Sequence, residues 1–295
     1  MKKKSDIKNY KLSELIYWFR NPQKYWLYKN NISPREIFIY HPDEEYVSNL
    51  EKSQLIKKII KELEIDNHNV IDDLKNLNIN SQLVENGIIM PKNSIFIKEK
   101  EIKDLLASLS VSLSQDNKIN RIYVKSNANK EEYFIADDTV IELIHAKLSL
   151  SRLTEAWIKS LFISSLKKNI KNTKVIFRTE NHYKSQIIQS PGAIESNLIL
   201  ADYINIFKNY SEKCLPLPPE STYKYVEAKI KSKNEKKAFT DRWIGNKNFS
   251  KGERDNIEMK LCFGNEKEPD FFLGNNNFDK LSFRLYGPLI NALKK

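Results

Sequence analysis

A chain of 295 residues, 40% hydrophobic and 29% charged, is long enough to bury a sizeable core as one large domain or two intimate ones, and it carries no internal repeat or long low-complexity tail. The formal charge of +11 and pI near 9.3 fit a phosphate-rich or acidic partner, although a composition heavy in Lys, Asn and Ile adds charge without building a site. Only Cys214 and Cys262 are present, far apart in sequence, which excludes a disulfide framework and a four-cysteine metal or iron–sulfur centre; with no continuous apolar run after Lys2-Lys3-Lys4, the expected compartment is a reducing cytoplasm and membrane insertion is not expected.

The first informative segment, Leu12 to Leu27, predicts two short aromatic helices. Ser13 is the candidate cap of the first, Asn21-Pro22 breaks it, and Pro22 suits the opening turn of the second. Their aromatic stripes read as core packing. Ile37 to Ile39 is a possible extended piece, Tyr46 to Leu63 an amphipathic helix, and Lys100 to Ser112 another, with Ile102, Leu105, Leu106 and Leu109 inward.

The hydrophobic period then changes. Ile119 to Lys125 and Tyr133 to Ala136 predict strands joined by the polar turn Ser126 to Glu131, and Val140 to Lys147 predicts a third, buried on both faces at Val140, Ile141, Leu143 and Ile144. Ser149 or Ser151 can cap the next helix, in which Leu150, Leu153, Trp157 and Leu161 recur at helical spacing. Thr173 to Arg178 reads as one more strand, the stretch Thr179 to Ser190 as a polar loop, and Ala193 to about Asn209 as a helix. Leu215 to Pro219 is an extended connector. Helices are predicted over Tyr223 to Lys233, Ala238 to Ile244, Asn256 to Phe263 and a final stretch from Phe278 to Leu293. The expected fold class is α/β, a small mixed sheet surrounded by helices. The expected division is a helical part over 1–115, an α/β core over 116–210 and a second helical part over 211–295.

Much chemistry is missing. With 7 glycines there is neither GxxxxGK[ST] nor GxGxxG, so no nucleotide or dinucleotide site is expected. The histidines at 41, 68, 145 and 182 have no metal-ligand spacing, and no GxSxG elbow offers a serine nucleophile. What remains is a magnesium nuclease of the type that sets an acidic residue on one strand and Asp/Glu-x-Lys on the next, where the carboxylates hold the cation and the lysine stabilises hydroxide or phosphate. Asp/Glu-x-Lys occurs at Asp6, Asp73, Glu101, Asp116, Glu227, Glu235 and Glu258, as a lysine-rich chain would supply by chance. In the one place with strand–strand–helix context the residues are His145-Ala146-Lys147. On a continued strand His145 and Lys147 would point together from its C-terminal end. Imidazole is a poor magnesium ligand, and Glu142 falls on the opposite strand face from Lys147. His145 and Lys147 therefore read as a vestigial nuclease position with no catalytic residue, no metal and no cofactor.

Several segments together resemble the C-terminal domain of the exodeoxyribonuclease V gamma subunit, RecC. They are Leu12-Ser13-Glu14-Leu15 with Trp18, Asn21-Pro22 and Tyr25-Trp26-Leu27; Ala146-Lys147-Leu148-Ser149 with Glu155-Ala156-Trp157 and Leu161; and a closing run of Leu215-Pro216-Leu217-Pro218-Pro219, Ala238, Trp243, Gly245-Asn246, Leu261, Phe263-Gly264 and Leu285-Tyr286-Gly287-Pro288-Leu289. The resemblance spans essentially the whole chain and only the last part of that family, whose preceding helicase-like domains are missing.

The resemblance implies a restriction-endonuclease-like fold of the PD-(D/E)xK type that has lost its catalytic residues. It would work as a structural, non-catalytic part of RecBCD in double-strand break repair and recombination. The implied partners are the RecB and RecD subunits and, weakly and without sequence preference, DNA. In related nucleases a cysteine precedes the proline of the opening motif; Asn21 stands there, so no iron–sulfur cluster is expected. The segments Ser126 to Glu131 and Thr179 to Ser190 are candidates for an element that splits the duplex. The alternative function is an active magnesium-dependent nuclease, which requires carboxylates converging beside Lys147.

Overall fold

A computed structural model of the chain describes residues 10–33, 100, 103–109, 111–113, 119–125, 130–167, 169–180, 182–246, 250–265 and 267–293. The elements expected over 37–39 and 46–63 lie outside these residues, as do residues 126–129 of the candidate turn.

Five strands form one mixed sheet in the spatial order of the chain: β1 (Ile119–Lys125), β2 (Lys130–Ala136), β3 (Thr139–Ile144), β4 (Asn172–Arg178) and β5 (Tyr183–Gln189). The first three make an antiparallel meander, β4 runs parallel to β3, and β5 returns antiparallel along the outer side of β4. A parallel neighbour needs a crossover, and helix α3 (Leu150–Leu166) supplies it between β3 and β4. The fold is thus α/β with a small mixed sheet and surrounding helices.

The two faces of the sheet carry different layers. Val140, Val175 and Ile188 belong to one apolar core with Leu153, Trp157, Ile158 and Leu161 of α3. That layer continues into α1 (Leu12–Arg20), α2 (Pro22–Lys29), α4 (Ala193–Tyr210) and α9 (Phe278–Ala292). The hydroxyl of Tyr203 accepts from Trp157 Nε1 at 3.0 Å and donates to the carbonyl of Leu285 at 2.9 Å, so a single buried tyrosine ties α3, α4 and α9 together. On the opposite face the helical residues 103–109 and 111–113 bury Leu105, Leu106, Leu109 and Leu113. Lys174 of β4 donates from that face to the carbonyl of Ser112.

Between α4 and α9 the chain forms α5 (Pro219–Ile230), α6 (Glu235–Ile244), the two-residue strands β6 (Gly245–Asn246) and β7 (Ser250–Lys251), a 3₁₀ turn (Glu253–Asp255), α7 (Ile257–Phe263) and α8 (Pro269–Leu273). Its centre is aromatic: Trp243, Phe239 and Phe272 are fully buried, and Trp243 lies 4.8 Å from Phe272, centroid to centroid. At 4.5–7 Å such edge-on pairs add to the gain from buried area alone.

Local physics accounts for the differences from the sequence expectations. The first helix begins at Leu12 with Lys11 as an extended cap residue, so Ser13 lies inside the helix and does not cap it. The break at Asn21-Pro22 is real: Asn21 is extended and its side chain accepts from the Lys24 amide at 2.9 Å, while Pro22 opens α2. Ser149, not Ser151, caps α3. The stretch expected as a polar loop over 179–190 is instead an edge strand from Tyr183 to Gln189, paired along the whole of β4. It looks like a loop because Lys184, Ser185 and Gln189 face solvent, which an edge strand permits and a central one does not.

Candidate functional site

Strand β3 ends at Ile144, and His145 and Ala146 form a bend, so the strand does not continue to Lys147 as expected. The reason is visible in the ladder: β2 pairs with β3 only over Thr139 to Ile141, and the pairing of β3 with β4 stops at Ile144. Beyond that point the backbone has no sheet partner and turns toward the cap of α3. The two side chains nevertheless go to the same place, the β4–β5 hairpin. His145 Nδ1 lies 3.0 Å from the Tyr183 hydroxyl, and Lys147 Nζ lies 2.7 Å from Glu180 Oε1. The Lys147 carbonyl accepts from Arg152, one turn into α3, which pins the bend to the helix.

The electrostatics of this corner are weak. The Lys147 and Glu180 side chains are 72% and 77% exposed, and the ammonium holds the Glu180 carboxyl only below its usual range. Burial pushes the Tyr183 phenol up, so it is a neutral hydroxyl beside His145. Glu180 is the carboxylate that Lys147 meets, and it lies in the β4–β5 connection, not on a neighbouring strand. Among the described residues no three His, Cys, Asp or Glu side chains converge as metal ligands would.

Carboxylates do gather elsewhere, on the opposite face of β3. Glu142 stands in register with the fully buried Val175 and therefore points toward α3. Lys159 of α3 meets it at 2.6 Å and also meets Glu155, one turn earlier on the same helix, at 3.1 Å. Arg20, the last residue of α1, closes the array with 3.0 Å to Glu155 and 2.8 Å to the Ser151 hydroxyl. Glu131 of β2 lies within the same field: burial, and then Glu142 and Glu155, raise its carboxyl above the usual range against the pull of Lys159. Burial alone would lower the Lys159 ammonium, but Glu142 and Glu155 outweigh it and raise it. The Tyr133 hydroxyl is buried without a hydrogen-bond partner next to Glu131 and Glu142, and its pKa is raised by burial first and by those carboxylates second. In chemical terms the array is a cation site already filled by an ammonium.

The array was readable only in part from sequence. The i,i+4 spacing of Glu155 and Lys159 and the strand parity of Glu142 are both in the chain; what joins them is the crossover that lays α3 over β3. Below it, at the junction of α1, α2, α3 and α5, lies an open cleft of about 350 Å³ lined by Tyr17, Arg20, Lys24, Ser149, Glu220 and Glu258 among others. Tyr17 and Tyr28 stand exposed on the α1–α2 corner with their rings stacked at 6.2 Å, and Lys24 lies over the Tyr28 ring.

Comparison of the chain with protein-family models finds no match, and neither does comparison with curated proteins. Among the described residues no helix is long and apolar enough to cross a membrane.

Proposed function

We propose that this chain is a non-catalytic, nuclease-like domain of the RecC type, which docks on the RecB and RecD subunits of RecBCD in the cytoplasm and contacts DNA during double-strand break repair. The observation that carries the reading is the end of β3. Where a nuclease of this type needs a carboxylate two residues before its lysine, His145 stands against Tyr183, and Lys147 extends into solvent on Glu180. A hard cation wants oxygen ligands held close together, and one exposed glutamate in a loop does not provide them.

Two surfaces support the docking and DNA parts of the proposal. Ile194 and Leu198, one turn apart on α4, are 81% and 66% exposed. The next residues along α4, Glu195 and Ile199, line an open groove of about 420 Å³ together with Phe283, Pro288 and Ala292. Stable subunit contacts bury about 1,200–2,000 Å² around apolar anchors of this kind. On the α1–α2 corner, stacked tyrosines beside Lys24 and Lys29 offer ring faces to bases and ammonium groups to phosphates. DNA affinity carried by such contacts is modest, independent of sequence and weakened by salt.

An active magnesium-dependent nuclease is the second reading, and the pairing of Glu142 and Glu155 on one ammonium is what favours it. Lys159 argues against it by holding its ammonium against both Glu142 and Glu155. Titration of the chain against purified RecB and RecD subunits tests the proposal. Association at about micromolar concentration or tighter, weakened at least tenfold by Ile194→Glu with Leu198→Glu, is expected. No association, or equal binding by wild type and variant, would remove the docking surface from the account.

A further inference from the structure

Helices α5 and α6 pack on one another, with Val226 and Phe239 in the apolar core, and are joined by the turn Lys231 to Asn234. Five of the nine residues from Lys229 to Lys237 are lysines, all exposed, and Glu235 is the only acid among them. Five cations less one anion give this tip +4, far denser than the +11 spread over 295 residues. The turn holds the lysines in a fixed frame. Ser232 is left-handed at φ 52°, its amide donates to the Lys229 carbonyl at 3.1 Å, and the Lys233 amide donates to the Ala228 carbonyl at 2.8 Å, the pair of bonds that closes a helix end. Asn234 then caps α6 by accepting from the Lys237 amide at 2.9 Å. Folding accounts for only some of these lysines. Lys229 meets Asp279 at 2.6 Å and Lys231 meets Glu227 at 2.7 Å, and cations suit the C-terminal end of α5. Lys233, Lys236 and Lys237 carry no ion pair among the described residues. Lys236 and Lys237 stand in the first turn of α6, where the peptide dipoles favour an anion, so both oppose the local preference.

We infer that the α5–α6 turn is a phosphate-contacting tip, at which Lys233, Lys236 and Lys237 hold the backbone of duplex DNA without reading its sequence. The inference rests on the proposed DNA contact for the identity of the polyanion and adds a separate site to it. The tip lies at the opposite end of α5 from the cleft that Pro219 and Tyr17 line, about 18 Å along a 12-residue helix. The two places suit different forms of DNA. Stacked tyrosines on the α1–α2 corner offer ring faces to unpaired bases, whereas no aromatic residue occurs between Lys229 and Lys237, so a separated strand finds nothing there to stack on. What the tip offers is ammonium groups on a rigid turn, which match the regularly spaced phosphates of a duplex. An anion also removes the opposition between Lys236, Lys237 and the first turn of α6. Each phosphate neutralised releases condensed counterions, so the share of binding carried by the tip is read directly from the salt dependence.

The test titrates the full chain with a fluorescein-labelled duplex of about 20 base pairs at salt from about 50 to 200 mM. Lys233→Ala with Lys236→Ala and Lys237→Ala is expected to weaken binding about tenfold or more at the lowest salt and to reduce the slope of log K against log salt by about 2–3. Lys184→Ala with Lys213→Ala and Lys260→Ala removes the same charge from exposed places elsewhere, and is expected to weaken binding about threefold or less with the slope unchanged. Lys236→Glu with Lys237→Glu should weaken duplex binding and still melt at or above the wild-type temperature, because carboxylates suit the first turn of a helix. Equal losses in the two triple variants would overturn the inference and leave the DNA contact to the α1–α2 corner. A glutamate variant that melts below wild type and binds duplex as wild type does would overturn it as well. Absence of duplex binding by wild type at about 50 mM salt would remove the inference together with the DNA part of the proposed function. Vesicles of phosphatidylserine are the competing polyanion: vesicle binding lost in the lysine-to-alanine tip variant, with duplex binding intact, would assign the tip to a lipid surface instead.

Discussion

The end of β3 and the turn at Glu253 treat charge in opposite ways. At the strand end His145 meets Tyr183 and Lys147 meets Glu180, and the Lys147–Glu180 ion pair lies in solvent. At the turn Glu253 is fully buried, and its carboxylate accepts from the amides of Glu220 and Ser221 and from the Ser221 hydroxyl at 2.6–2.9 Å, capping the first turn of α5. Around it, Gly252 lies against the backbone at the end of α6, and Trp243 donates to the carbonyl of Lys267 at 2.7 Å. The contrast teaches that, of these two places, polar positioning is strong where it joins helices and weak at the solvent-exposed end of β3.

The largest effect that would sharpen this contrast is at Gly252. A methyl there would come within 2.3–2.4 Å of the Ile244 carbonyl and the Trp243 oxygen, both backbone atoms that cannot swing aside. Gly252→Ala is expected to cost about 3 kcal/mol in urea unfolding, at the upper end for overpacking. A loss below about 1 kcal/mol would show the junction to be looser than described.

Next is the pH dependence of Glu253. Burial raises its carboxyl to about 7, against the donors from Ser221 and the pull of Arg242. A raised folded-state pKa contributes stability that is fully present below the unfolded value near 4.5 and is lost as pH rises through about 7. Relative to Glu253→Gln, wild type should therefore lose about 3 kcal/mol between pH 4.5 and 8. A flat difference across that window, measured by denaturant titration at several pH values, would contradict the buried, raised carboxyl.

Lys159 stands between the two regions, since its side chain and that of Glu142 are 24% and 20% exposed. Lys159→Met should cost about 1–2 kcal/mol, because Glu142, Glu155 and Glu131 are left to repel one another in a half-buried place. Thermal unfolding of Lys159→Met beside Lys159→Met with Glu142→Gln checks the origin, with the second substitution expected to recover part of the loss.

These regions also differ in how far the sequence disclosed them. The meander, the crossover helix and the break at Asn21-Pro22 follow from local signals: β-branched runs, a serine cap, a proline at a first helical position. The edge strand Tyr183–Gln189 was hidden because its outer face is polar and its pairing with β4 is a tertiary fact. At the candidate site, the sequence placed His145 and Lys147 on the C-terminal end of the third strand, whereas that strand's end at Ile144 depends on where neighbouring ladders stop. Glu253 gave no signal at all. It is one glutamate among many until the fold carries it to the first turn of a helix 32 residues earlier.

The most direct test of a non-catalytic strand end is cleavage of labelled single- and double-stranded DNA by the purified chain with magnesium and with manganese, run beside Lys147→Ala. The account predicts no divalent-dependent cleavage by either protein, and a Lys147→Ala melting temperature equal to that of wild type, since the Lys147–Glu180 pair lies in solvent. Reproducible magnesium-dependent cleavage by wild type that disappears in Lys147→Ala would contradict it.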